Sequence, residues 1–157
     1  MTEVHVRRTR SAPVDRDQVW AMLADFDRIS EWAPKVTHST LTAEAADADG
    51  GLGMARRVQV GRQALIETVT TWSPPGTIAY RIDGLPPIVA GVTNRWTLSP
   101  SREGTFIELT SIIDTGGTRR GRAASRVLSR VLAKASDGML DGLLSHLADR
   151  PANEDRP

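Results

Sequence analysis

The chain has 157 residues, no cysteine, and 20 basic against 19 acidic side chains. That length suits a single domain able to bury roughly 68–70% of its unfolded surface, and the missing thiol excludes a disulfide framework, a cysteine nucleophile and a cysteine metal site. Balanced charge gives no support to nucleic-acid binding, and no window approaches the ~18 apolar residues of a membrane span, so a cytoplasmic protein without a nucleic-acid partner is expected.

Residues 3–10, EVHVRRTR, alternate and carry β-branched Val4 and Val6, as a half-exposed or edge strand does. The period then changes. Asp15 is a candidate N-cap, Val19, Trp20 and Leu23 follow at helical spacing, and Pro34 bars continuation, which predicts two short helices over 15–24 and 27–32. From residue 35 alternation returns. Strands are predicted in VTHSTLTAE, MARRVQV, QALIETVTTW, TIAYRID, GVTNRWTLS and TFIELTSIIDT, separated by a polar glycine-rich connection, Gly61-Arg62, Pro74-Pro75-Gly76, the GLPPIVA loop and a turn at 101–104. Six consecutive strands with short turns predict an antiparallel meander whose edges need cover.

The cover comes last. Residues 118–147 lack proline and repeat apolar side chains at helical spacing, with Gly138 and Gly142 marking a kink or a close backbone approach. The expected order is β-α-α-β-β-β-β-β-β-α in an α+β domain over 1–149, followed by a flexible tail at 150–157.

PVDRDQVWAMLADFDRISEWAP, GMARRV, ETVTTWSPPGTIAYRI and EGTFIELT, in that order and spacing, together resemble the START-like helix-grip superfamily. The branch they resemble is the bacterial polyketide cyclase/dehydrase and lipid-transport (SRPBCC) family, over residues 3 to about 147. The resemblance implies a seven-stranded curved sheet gripping a long C-terminal helix, with an apolar cavity between them for a lipid, polyketide or aromatic compound. It carries over no universal catalytic signature, because fold and function separate.

Strand alternation then nominates the residues that face this cavity. In GMARRVQVG the even positions, with Arg56, Val58 and Val60, read as inward and Arg57 as outward. In QALIETVTTW periodicity leaves both sets open; similarity to ligand-binding relatives favours the odd one, with Glu67 and Val69. Tyr80, Ile82, Asn94, Trp96 and Leu109 sit on the inward parity of later strands. Val127, Leu128, Val131 and Leu132 are expected to turn toward sheet and cavity, Ala135 and Met139 to help close it, and Pro86 to stand at the mouth. Tyr80 and Trp96 suit ordinary core packing, with a hydrogen-bonded polar tip, better than ligand contact. Arg56 and Glu67 suit either an internal ion pair or ligand contact, since a buried charge needs a partner.

No cofactor or metal is expected: His5, His38 and His146 have no paired spacing, and no phosphate loop or serine elbow is present. Glu67, Tyr80 and Arg56 are the candidate acid/base and polarising groups if the protein cyclises or dehydrates a polyketide. The other reading is a carrier or sensor that leaves its ligand unchanged.

Residues 117–134 contain six basic side chains and no acid, which leaves 14 basic against 19 acidic elsewhere. Arg122, Arg126, Arg130 and Lys134 form a row of period four. Such a row repels itself and opposes the dipole at a helix N-terminus. It is either a solvated face or a docking site for an anionic neighbour: acids of the same chain, a second subunit or a lipid surface. A monomer or homodimer fits the sequence equally.

Overall fold

In chain order the elements are β1 (Glu3–Ala12), α1 (Arg16–Ala24), a 3₁₀ helix (Phe26–Glu31), β2 (Val36–Ala43), β3 (Ala55–Val60), β4 (Gln63–Ser73), β5 (Thr77–Asp83), β6 (Gly91–Ser101), β7 (Gly104–Asp114) and α2 (Arg119–Asp149). They come from a computed structural model that describes residues 2–46 and 50–149. The glycine-rich connection is thus only partly described, and the tail at 150–157 lies outside the described residues.

All strands pair antiparallel in the order β1-β7-β6-β5-β4-β3-β2. The meander β2 to β7 is continuous, and β1 returns to the open side of β7, so the chain folds as a helix-grip domain. Capping explains where α1 starts: the Asp15 carboxylate accepts from the Gln18 amide at 2.9 Å, and the Gln18 side chain accepts from the Asp15 amide at 3.3 Å. On the sheet's inner face Val58, Val69, Ile78, Trp96, Leu98, Ile107 and Leu109 are buried, and α1, the 3₁₀ helix and α2 close over them.

α2 is a single helix of 31 residues. Its buried row is Gly121, Ser125, Ser136, Leu140, Leu143 and Leu147, a seam whose first half is made of small side chains. Size explains the choice. A Cβ on Gly121 would fall on the Thr115 carbonyl, and one on Gly142 would fall on the Trp32 carbonyl, so the helix lies against backbone at both places. Gly142 therefore marks a close approach, whereas Gly138 has open space around its Cα.

This seam corrects one expectation. Leu128 and Leu132 are partly buried against the core, but Val127 and Val131 point outward and are 66% and 57% exposed. Apolar periodicity favoured them as inward, yet with 3.6 residues per turn the row through Gly121 and Ser125 places them on another face. Further along, Asp137 and Asp141 tie α2 to β1. Arg10 reaches Asp141 at 3.1 Å and Asp137 at 3.2 Å, and Arg8 reaches Asp137 at 3.5 Å; the Asp141 bond, foremost, raises the Arg10 pKa.

Candidate functional site

Direct cross-strand pairing assembles the polar interior. Arg56 on β3 faces Glu67 on β4, Tyr80 on β5 faces Asn94 on β6, and Asn94 faces Ser111 on β7. All five are buried. Arg56 Nε donates to Glu67 Oε1 at 2.9 Å, and a terminal guanidinium nitrogen donates to the Phe26 carbonyl at 2.7 Å. Its guanidinium carbon also lies 3.8 Å from the Phe26 ring centre and 4.8 Å from that of Tyr80. Two aromatic faces thus share a cation that one carboxylate neutralises.

The second polar group centres on Tyr80. Trp96 Nε1–H donates to the phenol oxygen at 3.2 Å, which leaves the phenol O–H free to donate elsewhere. Ser111 donates to Asn94 Oδ1 at 2.7 Å. The odd set of β4 faces in, with Glu67 and Val69 buried and Ile66 more than a third exposed. Val58, Ile82, Trp96 and Leu109 are buried on the same inner face, while Val60, Ala135 and Met139 are half-buried. Arg57 is half-buried and bonds Gln59. The internal ion pair is the one of its two readings that the geometry contains directly.

Burial, then the neighbouring Glu67 carboxylate, pushes the Tyr80 phenol above its usual range. The neutral phenol is favoured when folded, so the stability it contributes is present below about pH 10 and is lost as pH rises toward the folded pKa. Tyr80 is the only tyrosine. Tyrosinate absorbance should therefore stay flat through pH ~10 and rise only with unfolding; titration near 10 with the fold intact would contradict the burial.

Trp32 was not singled out by the sequence, because nothing in the spacing of a short helix end reveals which way an indole points. It ends the 3₁₀ helix, packs edge-on against Trp96 at 5.8 Å, and is 7% exposed. Its Nε1–H has no hydrogen-bond partner among the described residues. An unmade buried hydrogen bond costs about 1–3 kcal/mol, which makes Trp32 a ready donor.

One surface recess lies between the β5–β6 loop and α2. Leu85, Pro86, Ile88 and Val89 on the loop and Ala124, Val127, Leu128 and Val131 on the helix enclose an apolar recess of about 280 Å³. Leu85, Val89 and Leu128 also pack against the core, so the recess floor and the core share side chains. Pro86 and Val131 thus stand at its rim, and Val131 is not among the side chains packed on the core.

The family model for "Polyketide cyclase / dehydrase and lipid transport" matches residues 3–150. The chain belongs to this family. Members of the polyketide cyclase/dehydrase and lipid-transport family bind hydrophobic ligands or act as polyketide aromatases/cyclases. No curated protein matches the chain. Among solved structures it is similar to the Zhui aromatase/cyclase from Streptomyces sp. R1128, at 22% identity and a TM-score of 0.73, covering 96% of this chain and 98% of that one. It is also similar to the di-domain ARO/CYC StfQ from the steffimycin biosynthetic pathway, at 18% identity and a TM-score of 0.76 over 95% of this chain; it spans only 52% of StfQ. Ara h 8.0201 gives 14% identity and a TM-score of 0.69, covering 94% and 99%. At these identities the likeness concerns the fold. Among the described residues no helix is long and apolar enough to cross a membrane.

Proposed function

We propose that this family member binds a hydrophobic small molecule, a lipid, polyketide or aromatic compound, between sheet and α2 and releases it unchanged. The observation that carries the reading is the recess lined only by apolar side chains, whose floor is continuous with the core. Ligand sites are mostly apolar with a few placed polar groups. Two donors, the Tyr80 O–H and the Trp32 N–H, lie buried in the core outside the recess lining, so a ligand that extends from the recess to them carries a carbonyl or ether oxygen on an apolar body. Arg56 and Glu67 hold the wall on which Tyr80 stands.

A polyketide cyclase or dehydrase is the second reading, favoured by the free Tyr80 O–H, which would polarise a ketone while Glu67 accepted a proton. Paired with Arg56 as a carboxylate, Glu67 suits accepting a proton rather than giving one. Thermal unfolding against a panel of aromatic ketones and fatty acids separates the readings. Binding raises the unfolding free energy by RT ln(1 + [L]/Kd), about 2.7 kcal/mol at a hundredfold excess over Kd, with the compound recovered intact. Recovery of a cyclised or dehydrated product, abolished by Tyr80→Phe, would favour the enzyme instead. No stabilisation by any member of the panel would count against both.

A further inference from the structure

The six basic side chains that open α2 have no use inside the protein. None of Arg119, Arg120, Arg122, Arg126, Arg130 and Lys134 forms an ion pair among the described residues, although seven other histidines and arginines do. Thr118 caps this helix, its hydroxyl accepting from the Gly121 amide at 2.9 Å, so the charges crowd the positive end of the helix dipole. Local stability does not account for them. At the same end of the sheet three acids are otherwise engaged: Glu3 bonds His5, Asp83 bonds Arg81, and Asp114 accepts from the Gly116 amide.

Exposed apolar side chains lie against this cluster. Ile88, Val127 and Val131 are each more than half exposed, and they share one recess. On a helix, residues three and four apart are neighbours, so Val127 adjoins Arg130 and Val131, and Val131 adjoins Lys134. Strand direction adds a further charge. β3–β4 and β5–β6 turn at the end where α2 begins, and the Gln63 side chain donates to the Gly84 carbonyl at 2.9 Å, which brings Arg62 to the same end. The turn between β6 and β7, with Arg102, is at the opposite end.

A protruding apolar rim within a field of unpaired cations matches a surface that inserts shallowly among acyl chains while its charges meet anionic headgroups. We infer that the β5–β6 loop and the first four turns of α2 dock on an anionic phospholipid bilayer. Docking needs only the exposed rim and the charges, so it stands whether or not the interior takes a ligand.

Co-sedimentation of the full chain with phosphatidylcholine vesicles, with and without phosphatidylserine, tests this. Binding is expected only with phosphatidylserine, at low ionic strength, and is lost near 1 M salt, where the Debye length falls to about 3 Å. Arg130→Gln with Lys134→Gln should weaken partitioning about 30-fold, and Val127→Asp with Val131→Asp at least about tenfold. These side chains are exposed, so circular dichroism and the unfolding midpoint should match the parent. Arg102→Gln, at the far end, should bind as the parent does. Absence of binding at low salt would overturn the proposal and leave an acidic protein as the occupant of this face. Full binding by the Val127/Val131 double variant would overturn it too, since insertion would then play no part.

Discussion

Arg56→Ala should lower the unfolding free energy by about 3–5 kcal/mol in a denaturant titration, because it strands Glu67 as a buried, uncompensated carboxylate. The Phe26 carbonyl loses its 2.7 Å partner, and the Phe26 and Tyr80 rings lose the cation that lies over both. The desolvation penalty decides the size. The paired double variant, Arg56→Met with Glu67→Leu, removes both charges and keeps apolar volume, so it should be far more stable than Arg56→Ala. A single-variant loss below about 1 kcal/mol would mean that the pair is solvated, like an exposed one.

Gly142→Ala is the second large effect, and its sign opposes helix propensity. Alanine in a helix interior is ordinarily better than glycine by about 1 kcal/mol. Here the added Cβ would fall on the Trp32 carbonyl and press on Pro34. α2 must then withdraw from the 3₁₀ helix, at about 1–3 kcal/mol or more. Gly138→Ala, one turn earlier with open space at its Cα, should instead stabilise by about 0.5–1 kcal/mol. Stabilisation by both substitutions would contradict the contact.

These two glycines also show where the sequence is readable. Every strand and both main helices can be placed from alternation, Pro34 and the Asp15 cap, because binary pattern and turn chemistry are local properties. Arg56 has inward parity, whereas periodicity leaves Glu67 open and only family resemblance favours it, and the register that sets Arg56 opposite Glu67 makes them a pair. Helix rotation was not legible. Hydropathy favours Val127 and Val131 as inward, whereas the seam is set by Gly121, Ser125 and Ser136, small enough for α2 to settle on its neighbours. Steric fit between distant segments overrides periodicity there. The unpartnered Trp32 indole is invisible for a similar reason, since which donors lack acceptors is known only after packing.

The same rotation changes the meaning of the basic row. With Val127 and Val131 outward, charge and apolar surface lie on adjoining faces of one helix, and both border the recess. Entry to the interior and contact with a surface would then share an end of the molecule.

Native mass spectrometry of the protein purified from its own host reads whether the interior takes up a hydrophobic molecule. A complex heavier than the bare chain by one small apolar molecule, released on denaturation and recovered in organic extract, is expected. Bare-chain mass, unchanged after incubation with a total lipid and polyketide extract of that host, would contradict it.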